Sequence, residues 1–373
     1  MRFVLDFAAL VLVSATVLSE IRSTAWWVRM CDFPRIQIAA GIGVAATVYL
    51  VSGRLEDGPT VATWLLFGAL VAAGVVQAWR MATYTPLHPK QTVRVQGPLA
   101  DPDRRVRLMV TNVLMENRDG ERWLRTVREA DPDVIAAVET DAWWAQTAAQ
   151  LADEYPPAAE VPQDATYGML VRSRLPLSSA EVRHLVAPEV PSLFLTMQLQ
   201  SGEEVQVVVL HPRPPRPDIQ QDSTLRDAEL VLAGRSVSRH ARPVIVCGDL
   251  NDVAWSQTTA LFQKVSGLLD PRVGRGTFST FHADHWWLRY PLDHVFHSEH
   301  FALVELRRLP SVGSDHFPIL VELELSAPAE AIQDPVRADA EDREDADDAV
   351  EQAAELTAHE SPEEHRERVE KDQ

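Results

Sequence analysis

Cysteine is almost absent, at two residues in 373. Cys31 and Cys247 sit in different segments with no CxxC spacing, which excludes a disulfide framework and a cysteine zinc site. Cys247 falls inside an apolar run and reads as a small core filler. Clustered positive charge is missing as well. The formal net charge is −19, and groups such as Arg104, Arg105 and Arg107 are small, whereas proteins that grip long nucleic acids neutralise many phosphates with Lys and Arg. The imbalance is uneven: residues 327–373 hold 17 Asp/Glu against 5 Lys/Arg and no aromatics, while residues 91–326 carry a net charge of −9. Residues 327–373 are therefore expected to be an acidic disordered tail, with a fraying helix near Ala349–Leu356 and no protein partner assigned to it.

Charge is also scarce in the first 90 residues, where Asp6 alone interrupts the apolar runs Phe3–Leu18, Ile36–Val51 and Thr60–Ala78. Each run is close to the roughly 17–20 residues that cross a bilayer core as a helix. Trp26, Trp27, Trp64 and Trp79 lie near the run ends, where indole rings favour the membrane interface. A cleaved signal peptide is the weaker reading of the first run, because no convincing small-x-small site follows it and two more runs come after it. The expectation is a multi-pass anchor of three transmembrane helices over residues 1–82, with the bilayer lipid as partner. Arg22, Arg29, Arg35, Arg80 and Lys90 fall on the side of the remaining chain, which by the positive-inside rule is the cytoplasm. Residues 83–104, with Pro86, Pro89, Gly97, Pro98 and Pro102, suit a linker.

Residues 105–326 alternate strand and helix patterns. Arg107–Leu114 and Asp133–Val138 read as strands around a helix at Glu121–Ala130, and another helix follows at Ala142–Tyr155. Met169–Val171, Leu193–Gln200 and Val205–Leu210 are strand-like, with a hairpin turn at Ser201-Gly-Glu. A helix at Asp222–Ser238 precedes a strand at Pro243–Cys247, a short helix at Gln257–Val265, a strand around Val295 and a last strand at Ile319–Leu325. Hairpins mixed with helical crossovers predict an α/β fold, a four-layer αββα sandwich of two mixed sheets, rather than one parallel sheet.

Strand-like runs deliver polar residues at their ends: Val110-Thr-Asn-Val113, Pro132-Asp-Val-Ile135 through Val138-Glu139, Leu210-His-Pro212, Gly248-Asp-Leu-Asn251, Leu292-Asp-His294 and Gly313-Ser-Asp-His-Phe-Pro318. Six motifs in this order resemble the endonuclease/exonuclease/phosphatase family of DNase I-like, metal-dependent phosphohydrolases, over about Arg105 to Leu325. With three apolar runs in front, the chain resembles a bacterial membrane-anchored subgroup associated with glycopeptide resistance. That subgroup places its catalytic domain outside the cytoplasm, opposite to the arginine count.

The resemblance implies a metal-dependent hydrolase. Glu139 is the first expected metal ligand, helped by Asn112 and Asp315, in a site open enough for Mg²⁺ and its waters; Mn²⁺ prefers the same oxygen donors. His316 is expected as a general base oriented by Asp293. Asp249 and Asn251, two apart on an extended segment, point the same way; the resemblance implies that Asp249 positions or activates the attacking water and Asn251 donates to a phosphoryl oxygen. Asp249 and His316 both stand as candidates for the base. His211 is expected to stabilise charge developing on the phosphoryl group. Trp143 with Trp144, and Trp286 with Trp287, read first as helix packing and second as a substrate groove or base-stacking platform. Tyr167 receives no role.

Two functions follow. One is a membrane-anchored hydrolase of a phosphoester or pyrophosphate, favoured on a lipid-linked envelope substrate because the anchor raises its effective concentration. The other is a membrane-tethered endonuclease or exonuclease, against which the acidic balance counts. A non-catalytic scaffold ranks last, because every expected polar position is filled.

Overall fold

The computed structural model describes residues 2–52, 60–95, 101–214, 222–238 and 242–359. Its core is two facing sheets. The first has six strands: β1 (Arg105–Asn112), β2 (Val134–Val138), β3 (Pro157–Val161), β4 (Met169–Ser173), β10 (Phe301–Arg308) and β11 (Ile319–Leu325), in the order β10-β11-β1-β2-β4-β3. The second has five, β5 (Leu177–Arg183), β6 (Ser192–Gln198), β7 (Glu204–Val209), β8 (Val244–Asp249) and β9 (Asp293–His297), in sequence order. Period-two alternation builds the layers. Val106, Leu108 and Val110 of β1 meet Val205, Val207, Val209, Ile245 and Cys247 between the sheets. On the outside of the first sheet, Met109 and Ile135 pack on Trp123, Val127 and Trp144 of α5 (Gly120–Ala130) and α6 (Ala142–Ala148). On the outside of the second, Val208 and Val246 pack on Leu230 and Phe262 of α7 (Thr224–Ser238) and α8 (Gln257–Ser266). The arrangement is the expected αββα sandwich. Each fully buried aliphatic side chain contributes roughly 1.5–3 kcal/mol.

Two parallel pairings decide where the chemistry sits. β1 pairs with β2, and β7 with β8, in parallel, so the residues ending all four strands emerge at one edge. β9 runs antiparallel to β8 with Asp249 opposite Asp293, which brings the start of β9 to that same edge.

Strands β3, β5 and β10 escaped the sequence reading for identifiable reasons. β5 is an edge strand with almost every side chain exposed, β3 is the other sheet's edge and carries a register shift, and a bulge between Leu303 and Glu305 interrupts the alternation of β10.

The N-terminal segment departs from the three-span expectation. Among the described residues one helix, α4 (Val61–Ala82), is long and apolar enough to cross a bilayer, with a mean hydropathy of 1.9. The helices over the other two runs, α1 (Arg2–Leu18) and α3 (Arg35–Val51), have 17 residues each. At about 1.5 Å per residue they fall short of the roughly 30 Å hydrocarbon core. The three pack together through Ala9, Ile42, Tyr49, Leu70 and Ala73. Between α1 and α3 the chain makes a short turn of helix, α2 (Trp26–Arg29). The arginines that weigh in the charge count have carboxylate partners: Arg35 with Glu20 and Asp32, Arg80 with Glu20, Arg29 with Asp227 and Asp32, and Arg22 with Glu341 and Asp345.

Two further segments are more ordered than their composition suggests. The linker is stitched to the domain, with Val95 N donating to Leu303 O at 3.1 Å and Leu303 N to Val93 O at 2.8 Å. Residues expected in the disordered tail form α9 (Ala327–Ile332) and α10 (Ala340–His359). α10 buries Ala346 and Ala353, the latter against Leu225 and Ala228 of α7, and Asp342 pairs with Lys264 at 2.7 Å. Alanines at helical spacing supply a narrow packing face that a composition count does not register. The tail beyond residue 359 lies outside the described residues.

Candidate active site

Glu139 follows β2 with a φ of +59°, a left-handed conformation uncommon for a residue with a Cβ and often found where function demands it. Its Oε1 accepts from Asn112 Nδ2 at 2.7 Å, and the same nitrogen donates to Asp249 Oδ2 at 2.9 Å. Asn112 Oδ1 accepts from Leu114 N at 2.9 Å. Facing two carboxylates, the Asn112 amide presents its NH₂. Asn112, expected among the metal ligands, bridges Glu139 and Asp249 through its amide nitrogen.

Asp249 ends β8. Gly248 before it has a φ of +137°, and a Cβ there would lie 1.9 Å from Leu210 O. The Gly of Gly-Asp-x-Asn is therefore what allows β8 to lie against the end of β7. Asp249 Oδ1 accepts from Asn251 N at 2.9 Å, and Asn251 Nδ2 donates to Pro212 O at 2.9 Å. The Asn251 amide thus ties down the loop after β7 as well as facing the site. His211 Nδ1 donates to Asp249 O at 3.1 Å, leaving Nε2 3.9 Å from Glu139 Oε1. Tyr167, buried and without a role in the sequence reading, lies 5.9 Å ring to ring from His211. The Gly168 next to it was the available signal: a Cβ there would lie 1.9 Å from Thr140 O, one residue past Glu139.

His316 Nδ1 donates to Asp293 Oδ2 at 2.7 Å, and Nε2 lies 3.6 Å from Asp249 Oδ2. Burial alone would lower the imidazole's proton affinity, but the Asp293 and Asp249 carboxylates outweigh it and push its pKa up to about 10. Burial in turn raises Asp249, against the pull of His316. Burial likewise raises Glu139, offset in part by His211 and Asn112. Asp293 Oδ1 is buried with no hydrogen-bond partner. Behind Asp293, Arg272 is held by Asp270 and donates to His294 Nδ1 at 2.7 Å. His294 therefore keeps its proton on Nε2, directed at Asp252 O at 2.9 Å. With burial and the neighbouring Arg272 lowering its proton affinity, His294 is a neutral structural group.

Seven of the eight expected residues form one network around Asp249: Asn112, Glu139, His211, Asn251, Asp293 and His316 surround it. Asp315 is the exception. It is partly exposed, its Oδ1 takes a 3.4 Å contact from Ser314 Oγ, and it lies outside the Asp249, Asp293 and His316 group, whose ligand atoms are within 4.8 Å of one another. Within that group His316 Nδ1 donates to Asp293, while Nε2 faces Asp249 at 3.6 Å, a charge contact longer than a hydrogen bond. Glu139 and Asp249, on either side of the Asn112 amide, are carboxylates that could hold a hard divalent cation.

A family model supplies the decisive comparison: the Endonuclease/Exonuclease/phosphatase family model matches residues 109–316, more than half of the chain. The chain belongs to this family. No curated protein sequence matches it. Among solved structures, it is similar to the human Nocturnin catalytic domain with bound sulfate, at 17% identity and a TM-score of 0.49 over 60% of this chain and 94% of that one. It is also similar to D. rerio TDP2 complexed with single-strand DNA product, at 17% identity and 0.49 over 59% and 99%. A Bacteroides thetaiotaomicron member of the endonuclease/exonuclease/phosphatase family gives 18% and 0.49 over 60% and 98%. Members of the family hydrolyse phosphoester bonds and typically depend on a divalent metal.

Proposed function

We propose that this protein is a membrane-anchored phosphohydrolase that cleaves a phosphoester or pyrophosphate of a lipid-linked substrate by attack of an activated water. The observation that carries the chemistry is His316 held between Asp293 and Asp249, 2.7 and 3.6 Å from their oxygens. Asp249 and His316, 3.6 Å apart, are coupled by charge and act as one unit. The unit takes the proton of the attacking water, and the buried Asp293 keeps the imidazole turned toward Asp249. His211, with Nδ1–H fixed on Asp249 O, directs Nε2 into the site, where it stabilises charge on the phosphoryl oxygens. Glu139 and Asp249 would hold Mg²⁺ or Mn²⁺. When bound, such an ion supplies Lewis-acid stabilisation of phosphoryl charge.

The anchor reading is supported by exposure. The most apolar 18-residue window of α4 is only 17% buried, unlike the core helix of a soluble domain. Phe3, Phe7, Val44, Leu50, Leu65 and Val75 are exposed on the three packed helices, an apolar surface larger than water-soluble proteins leave uncovered. We read α4 as the spanning helix, with α1 and α3 packed on it in the same bilayer, as the resemblance to membrane-anchored bacterial members implies.

The test is Mg²⁺-dependent phosphate release from a polyprenyl pyrophosphate by the full chain in vesicles, with supercoiled plasmid in parallel. Release that vanishes in His316→Ala and Glu139→Gln is expected. Plasmid relaxation without lipid turnover would replace this reading with a membrane-tethered nuclease.

A further inference from the structure

The exposed aromatic pair sits on a loop that links the catalytic site to the helix bundle. Trp286 and Trp287 are 76% and 52% exposed, and their ring contacts are with each other and with His285. Trp143 and Trp144 behave differently, packing on α5 and α6 as helix residues should. At one end of the loop, Phe281 lies 5.0 Å ring to ring from His316. At the other, Gln37 Nε2, in the first turn of α3, donates to Trp287 O at 2.7 Å. Tyr290 packs on Phe33 at 5.7 Å, just ahead of α3. The loop therefore runs from the catalytic histidine to the domain-side end of the bundle.

That end carries other exposed indoles. Glu20, just past α1, pairs with Arg35 at the start of α3 and with Arg80 in the last turn of α4, so Trp79 lies at the same level. Trp79 is 79% exposed and Trp27, on α2, 53%. Exposed tryptophans at this end of the apolar bundle, with Trp64, 51% exposed, near the other end of α4, match the aromatic belts that mark the two bilayer surfaces. The charges of the loop region suit an anionic lipid. Arg289 and Arg308 lie over the ring of Phe317, next to His316 in the chain, 4.7 and 4.4 Å from its centroid. They donate to the backbone carbonyls of His282, Ala283 and Ser279, and neither has a carboxylate partner among the described residues. One acid, Asp284, is exposed on the loop.

We propose that the loop over 282–290 is a membrane-docking element of the active site. Trp286 and Trp287 sit in the headgroup layer of the bilayer that holds α4, and the phosphorylated lipid reaches His316 along this face, past Arg289 and Arg308. The proposal rests on the membrane reading above and adds the surface that meets the lipid.

An environment-sensitive fluorophore placed on Trp286→Cys in a Cys31→Ser background, in the full chain in phosphatidylglycerol vesicles, reads docking without any need for turnover. The control label is Glu203→Cys, in the β6–β7 turn at the opposite edge of the sheet. Blue-shifted emission, quenched by lipids spin-labelled near the headgroup, is expected at 286 and not at 203. Equal, water-like emission at both would overturn the proposal. In Trp286→Ser/Trp287→Ser, the ratio of turnover on vesicle-embedded polyprenyl pyrophosphate to turnover on a short, water-soluble prenyl pyrophosphate is expected to fall on the order of tenfold, as loss of two partly buried aromatic contacts implies. An unchanged ratio, or a loss confined to plasmid cleavage, would also overturn it. A buried 286 label in a chain inactive on every phosphate substrate would keep the docking surface and remove the proposed chemistry, so the two readings fail separately.

Discussion

Replacing Asp293 by Asn isolates the orienting half of the His316 relay. Asp293 is fully buried at the first position of β9, its Oδ2 accepts from His316 Nδ1 at 2.7 Å, and its backbone is fixed by pairing with Asp249 across β8. The substitution keeps shape and removes charge. A hydrogen bond to a charged group is worth about 1.5–3 kcal/mol, and at roughly 1.4 kcal/mol per decade of rate the expected loss is about 10- to 150-fold in kcat. KM should stay within about twofold, because Asp293 acts through the imidazole rather than on the substrate. The assay is steady-state phosphate release from polyprenyl pyrophosphate in vesicles with saturating Mg²⁺, alongside thermal unfolding to show that the fold is intact. A decrease in kcat smaller than threefold in a folded variant would refute the orienting role. A rise in KM with unchanged kcat would move Asp293 to substrate binding.

Two other outcomes test the supports of the site. Gly248→Ala places a Cβ 1.9 Å from Leu210 O at a φ of +137°, so the end of β8 must separate from β7; a loss of several kcal/mol, read by denaturant unfolding, is expected, whereas a neutral result would mean the strand ends can part freely. Glu229, buried in α7 with Ser192 Oγ donating to it at 3.2 Å, has its pKa pushed up by burial to about 8 from an ordinary 4.5. The unfolded chain ionises this group first as pH rises, so it costs stability between about pH 4.5 and 8. Glu229→Gln is therefore expected to unfold at a higher temperature than the parent at pH 8 and at a similar one at pH 4.5; an equal gain at both would show that the carboxyl is ionised in the folded state.

The sequence by itself determined the layers and most of the site. Period-two apolar runs ending in Asn112, Glu139, His211 and Asp249 specify both the strands and the polar residues at their tips, because strand alternation and termination are local properties. Edge strands were not legible, since β5 has no buried face to leave a pattern. Neither was the order of α10, whose alanine face acquires meaning only against α7. Tertiary structure decided the division of labour. Asn112 becomes a bridge because two strands from opposite sheets bring Glu139 and Asp249 to either side of one amide. Asp315, adjacent to His316 in the chain, stays outside the relay, while Asp293, 23 residues away, enters it. The Trp286-Trp287 pair carries the same lesson. Its composition matches that of Trp143-Trp144, but one pair packs on a helix and the other lies at the end of the α1, α3 and α4 bundle, a difference set by long-range packing that no local pattern encodes.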